Sequence, residues 1–314
     1  MNCVRLYLRL TAAIALLLPP AAVAASAENP FVRGAEQLHA VWNIAHAGAS
    51  SVAPQNTLAA GREAFDLGAD VWSIDIGTTA DGALVLIHDE TLDRTTDVEA
   101  RFPDRSPWAL EEFTLEEVWS LDAGTWFVEQ DPFGEIAAGR VSDDDLARFA
   151  GEPIPTLREA LELVTALDRL IDIEIKTTGT TDTGHTARAL ATLIAETGCA
   201  DRVMVSSFDH DFLRTLRAFD GAIPIGALSI FAPLDPLAYL NDLGADVYLP
   251  SLVGYADRLL GDLAAAGIGV HVWTYNAVEQ LERLARTPYI TGIITDFPQR
   301  LAPILEEFER GAGG

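Results

Sequence analysis

Leu67-Gly68-Ala69-Asp70-Val71 occurs a second time, unchanged, as Leu243-Gly244-Ala245-Asp246-Val247. Each copy closes an amphipathic stretch and opens a run of β-forming residues. The glycine suits the left-handed cap that stops a helix, and the valine begins a strand. Gly198, Gly221 and Gly267 fit the same cap at the ends of other helical stretches. Strands are predicted at Val41–Ala45, Val71–Ile76, Leu84–Ile87, Leu170–Ile175, Arg202–Ser206, Ile223–Ala227, Val247–Leu249, Val270–Thr274 and Gly292–Ile294. They lack period-two alternation, as strands buried on both faces do. The clearest helix between them is Leu157–Leu167, with Leu157, Ala160, Leu161, Val164 and Leu167 on one stripe and Thr156/Glu159 as a capping box. Phe212, Leu213, Leu216 and Phe219 form a second stripe, and Leu259, Leu260 and Leu263 a third.

A repeated helix–glycine–strand unit points to parallel βα architecture. Eight or so units without a Gly/Ser/Pro linker predict an α/β fold of the (β/α)8 type rather than a doubly wound sheet. No strand is followed by G-x-G-x-x-G or G-x-x-x-x-G-K-[ST], which weakens a nucleotide-binding reading. Residues 97–153 break the rhythm and read as an insertion over one end of the barrel. Their run Asp143-Asp144-Asp145 lacks calcium-loop spacing and reads as a solvated face.

The chain has 314 residues, 49% of them hydrophobic, so it can bury a large core. Its formal charge of −26 argues against nucleic acid or an anionic membrane as the main partner. Arg5 and Arg9, the apolar run Leu10–Ala25 and the small residues to Ala27 read as a signal peptide over 1–27. The expectation is an exported, periplasmic or secreted protein without stable membrane insertion. Removal of 1–27 would leave one cysteine, Cys199, and so no internal disulfide. One lysine, Lys176, stands among twenty arginines.

In such a barrel the site forms at the carboxyl ends of the strands. Asn43-Ile44-Ala45-His46, Trp72-Ser73-Ile74-Asp75, Leu86-Ile87-His88-Asp89 and Asp172-Ile173-Glu174-Ile175-Lys176 end there, as do Ser206-Ser207, Trp273-Thr274 and Thr295-Asp296. Two imidazoles can divide acid and base roles near neutral pH. Asp172, Glu174 and Lys176 alternate on one inward face. Buried charges need partners, so either a salt-bridge network or a metal site follows; the metal site is preferred. There is no zinc-type cluster and no G-x-S-x-G elbow. His39, His185, His210 and His271 read as satisfied polar residues.

The stretches Ile44-Ala45-His46-Ala47-Gly48, Pro54-Gln55-Asn56-Thr57, Asp81-Gly82, His88-Asp89-Glu90-Thr91-Leu92-Asp93-Arg94-Thr95-Thr96, Ile173-Glu174-Ile175-Lys176, Trp273-Thr274-Tyr275-Asn276 and Thr295-Asp296-Phe297-Pro298 resemble, in order, the glycerophosphodiester phosphodiesterase family. The resemblance spans about residues 42–306. It implies a TIM barrel of the phospholipase-C-like phosphodiesterase type, with one domain over about 36–306. It also implies a divalent cation, Ca2+ or Mg2+, and hydrolysis of a small-molecule phosphodiester to glycerol 3-phosphate and an alcohol. Carried across by position, His46 and His88 match the acid/base pair, and Asp75 and Glu174 match metal ligands. Lys176, Trp273 and Asn56 fall at substrate-binding positions. Three positions depart: Ala47 replaces an arginine, Gln55 a glutamate and Ser73 a metal-ligating glutamate. Fewer anionic ligands imply weaker binding of a hard cation. The departures leave open a changed substrate, or a ligand-binding barrel without catalysis.

Overall fold

In the computed structural model, which describes residues 29–32, 41–178, 181–251 and 257–312, both copies of the pentapeptide make the same corner. Gly68 and Gly244 take positive φ, 86° and 70°. The Ala69 N–H donates to the Ala64 carbonyl at 2.9 Å, and the Ala245 N–H to that of Leu240 at 3.0 Å. Each aspartate then grips the preceding strand. Asp70 donates its N–H to the Asn43 carbonyl at 2.8 Å and accepts the Asn43 N–H on Oδ2 at 2.8 Å. Asp246 does the same with Ile225, at 2.9 Å and 2.9 Å. The proposed signal peptide and His39 lie outside the described residues.

The strands are β1 (Trp42–His46), β2 (Val71–Thr78), β3 (Leu84–Leu86), β4 (Leu170–Ile175), β5 (Val203–Ser207), β6 (Ile225–Ser229), β7 (Val247–Pro250), β8 (Gly269–Val272) and β9 (Gly292–Thr295). All but β3 run parallel, in the ring order β1-β2-β4-β5-β6-β7-β8-β9. The ring closes where β9 pairs with β1, Asn43 opposite Ile293. The chain is thus an eight-stranded parallel barrel wrapped by helices.

Three expectations need correction. Leu84–Ile87 is not a barrel strand. Its residues Leu84–Leu86 pair antiparallel with β2, Ile76 opposite Leu86. The five residues between the strands can make a hairpin but not a parallel crossover, and the Asp81-Gly82 turn, with Gly82 at φ 84°, suits that hairpin. Gly221 is not a left-handed cap, because the helix His210–Phe219 ends at Asp220 in extended backbone. Leu167 and Phe219, placed on apolar stripes, are exposed on the last turns of their helices while the rest of each stripe is buried.

The 97–153 insertion has its own core, in which Leu92, Val98, Phe113 and Val118 pack on Val85 and Ile87 of the hairpin limb. It reaches both sides of the barrel mouth. Leu110 lies against Gly77 of β2, while Phe133 meets Phe297 edge-on at 5.5 Å. Asp143, Asp144 and Asp145 form the first turn of the helix Asp143–Phe149, capped by Ser142. Acids there favour the positive end of the helix dipole.

Candidate active site

β1 delivers His46 to the mouth. The turn after it brings Ala47 (φ 52°) and Asn56 (φ 56°) together, with the Asn56 N–H donating to the Ala47 carbonyl at 2.8 Å. Positive φ is uncommon for non-glycine residues and costs free energy. Here it turns the Asn56 amide onto Asp75. Nδ2 donates to Asp75 Oδ2 at 2.9 Å, and Oδ1 accepts the Asp75 N–H at 3.1 Å. With both ends engaged, buried Asn56 stands behind Asp75 and not on the cavity wall.

The imidazole of His46 is held through Nδ1, 2.7 Å from Asp296 Oδ1. An ionised carboxylate only accepts, so Nδ1 carries the proton and Nε2 is left for chemistry. Asp296 is itself fixed by the Ser50 hydroxyl at 3.0 Å and the Asn276 amide at 2.6 Å. Burial works to lower the pKa of His46, but Asp296, Asp75 and Glu174 outweigh it and raise the value. His88 leaves the β3 limb with the same fixture: Nδ1 lies 2.7 Å from Asp89 Oδ1. Arg94 binds Asp89 through two nitrogens and reaches Gln55 Oε1 at 3.4 Å. Burial opposes ionisation of Asp89, yet His88 and Arg94 hold its carboxyl well below the usual range.

Lys176 bridges the remaining carboxylates, its Nζ 3.0 Å from Asp75 Oδ1 and 2.5 Å from Glu174 Oε1. Burial would lower the lysine pKa, but the two acids raise it. Burial also pushes Asp75 up, and Lys176, His88 and His46 bring it below its ordinary value. Glu174 is raised, by burial and then by Asp75. His46, His88, Glu174 and Lys176 share one cavity of about 190 Å3 with Ser73, Asp172, Phe208 and Trp273. The Trp273 indole N–H donates to the Leu249 carbonyl at 2.8 Å, which turns the ring to the apolar side.

Asp172, one layer deeper, is 1% exposed. It sits opposite Ser73 in the β2–β4 register, with the Ser73 hydroxyl 3.4 Å from Oδ2. Its Oδ1 is buried without a hydrogen-bond partner among the described residues. Burial, then Glu174 and Asp75, push its pKa up to about 7. Oxygen donors of this kind suit a hard cation, and the orphaned Oδ1 marks a polar place short of positive charge. As they stand, no three acidic, histidine or cysteine side chains among the described residues are spaced to hold one ion. Lys176 occupies the space between Asp75 and Glu174.

Residues 46–300 match the profile of the glycerophosphoryl diester phosphodiesterase family. The chain belongs to that family. A glycerophosphodiester phosphodiesterase of Caldanaerobacter subterraneus is 35% identical over 84% of this chain and 97% of its own length. A relative of the same name from Bacillus altitudinis is 31% identical over 85% and 98%. Among solved structures, an Oleispira antarctica phosphodiesterase in complex with the product sn-glycerol-3-phosphate superposes with TM-score 0.71 at 25% identity, covering 84% of this chain and 96% of that one.

Sequence reasoning brought His46, His88, Glu174, Lys176 and Trp273 to one cavity, with Asp75 against Lys176. It gave no role to Asp296, Asn276, Ser50 or Arg94. The adjacency of His88 and Asp89 was a usable signal. Nothing local ties residue 46 to residue 296. The three departures from the family pattern are spread around the site: Ser73 on the cavity floor, Gln55 beside Arg94, and Ala47 buried in the turn after His46.

Proposed function

We propose that this member of the family hydrolyses glycerophosphodiesters by acid–base catalysis shared between His46 and His88. The observation that carries the reading is the matched pair of imidazoles, each held at Nδ1 by a carboxylate at 2.7 Å, on one cavity with Lys176. His46 is assigned the acid, since Asp296, Asp75 and Glu174 raise its pKa and so favour its protonated form. His88 takes a proton from water at Nε2 as the water oxygen bonds to phosphorus. The bond from phosphorus to the headgroup oxygen breaks, and His46 Nε2 delivers a proton to that oxygen. Glycerol 3-phosphate and an alcohol leave. Lys176 turns its ammonium to the non-bridging oxygens, where charge accumulates.

Asp75 and Glu174 would hold the divalent cation, Ca2+ or Mg2+, and Trp273 closes the apolar side. When bound, that ion supplies further positive charge to the phosphate. With Ser73 on the floor in place of a carboxylate, its affinity is low. The 1–27 segment supports export of the chain. The test is release of glycerol 3-phosphate from glycerophosphocholine, with Ca2+, Mg2+ or chelator, by the wild type and by His46→Ala. Turnover absent in every condition, or identical in the folded variant, refutes the proposal.

A further inference from the structure

The cavity has two unlike walls. One carries His46, His88, Glu174 and Lys176; the other is apolar and includes Phe208, Leu249 and Trp273. Phe208 stands edge-on to Trp273 at 5.6 Å and is 45% exposed, so the apolar wall runs out to the surface. β5, which Phe208 follows, pairs with β6, Ser207 opposite Ala227. The loop leaving β6 at the same mouth then exposes Ile230 (57%), Phe231 (84%) and Leu234 (106%). Clustered exposed side chains of this size mark a binding surface, whereas single ones such as Trp119 need no explanation.

Local folding does not account for them. The Phe231 carbonyl accepts the Ser229 hydroxyl, so the loop is tied by its backbone while the ring faces solvent. Leu234 precedes Asp235, the N-cap of the helix Pro236–Leu243. An apolar residue there ordinarily packs on the fourth helical residue, here Tyr239. Leu234 is fully exposed instead, and Tyr239 bonds His210 at 2.6 Å.

A deacylated glycerophosphodiester carries no alkyl chain to lay along such a strip. We infer that the preferred substrate is a single-chain lipid diester, with its phosphate between the histidines and Lys176 and its acyl chain along Trp273, Phe208 and the 230–234 loop. The inference rests on the phosphodiesterase reading above and specifies its substrate. The bond cleaved is the same: water oxygen joins phosphorus, the headgroup alcohol leaves with a proton, and the phosphate monoester stays on the acylated glycerol. The formal charge of −26 favours a zwitterionic amphiphile over an anionic surface.

The experiment compares choline release from palmitoyl-lysophosphatidylcholine and from glycerophosphocholine, for the wild type and Phe231→Ser/Leu234→Ser, two exposed positions whose change spares the fold. The expected wild-type kcat/KM is at least about tenfold higher for the lysolipid, as burial of a few methylenes allows. The double variant should lose most of that preference through KM and stay within about twofold on glycerophosphocholine. Hydrolysis of glycerophosphocholine without lysolipid preference overturns the inference and leaves the phosphodiesterase reading intact. So does a variant that only loses binding to phosphatidylcholine vesicles while cleaving monomeric lysolipid normally, which would make the strip a membrane-docking surface. No turnover of either substrate overturns both.

Discussion

The two histidines are held at the same distance by the same atom, but their supports differ. His46 is fixed by Asp296, which Ser50 and Asn276 hold in turn; Asp296 and Asn276 come from the far end of the chain and reach His46 and Ser50 only when β9 closes on β1. His88 is fixed by its own neighbour, Asp89, and by Arg94 five residues further on, a half-exposed cluster on the loop after β3. A carboxylate clamped by buried hydrogen bonds has one geometry. One held by an exposed ion pair keeps more freedom and contributes less. The difference gives rigidity to the proposed acid and adaptability to the proposed base.

The comparison breaks most directly if the histidines are unequal in need. His46→Ala and His88→Ala should each lower kcat by roughly 10²–10⁴-fold; a folded variant retaining wild-type kcat removes that residue from the chemistry. Next, Asp296→Asn should cost about a hundredfold in kcat, and Asp89→Asn nearer tenfold. Equal losses would erase the distinction between supports. A pH profile sharpens it. Asp296 helps keep His46 protonated, so its loss should move the alkaline limb of kcat to lower pH, whereas a purely structural defect would scale the whole profile.

A smaller effect is expected in stability. Folded Asp172 holds its proton up to about pH 7, while the unfolded chain releases it near the ordinary 3.8. Stability from this residue is therefore complete below about pH 4 and lost as pH rises toward 7. In metal-free protein, Asp172→Asn should match the wild type at pH 4 and melt a few degrees higher at pH 8. Thermal unfolding at the two pH values checks this, and a variant less stable at pH 8 contradicts it.

The barrel was legible because its strands are buried on both faces and its helices end at recognisable caps. The strand Leu84–Leu86 has the composition of a barrel strand; only the length of the Thr79–Ala83 connection marks it as a hairpin limb. The candidate site was legible where its residues lie on one strand, as Asp172, Glu174 and Lys176 do, or are adjacent, as His88 and Asp89 are. The Asp296 support was not, since 250 residues separate it from His46 and the contact exists only through ring closure. The bond from Asn56 to Asp75 was hidden in a different way. The Asn56 motif is visible, but the positive φ that turns the residue toward Asp75 is not.

The repeated pentapeptide has a consequence for how the molecule can change. β2 and β7 stand four places apart in a ring of eight, so the two identical corners lie on opposite sides of the barrel. Both sit at the amino ends of their strands, away from the mouth, and there Asp70 and Asp246 staple neighbouring strands. Cohesion is thus concentrated at one pole and chemistry at the other. Loops such as 230–234 can be rewritten for new substrates while the opposite pole keeps the barrel closed, which makes the enzyme evolvable at little cost to its scaffold.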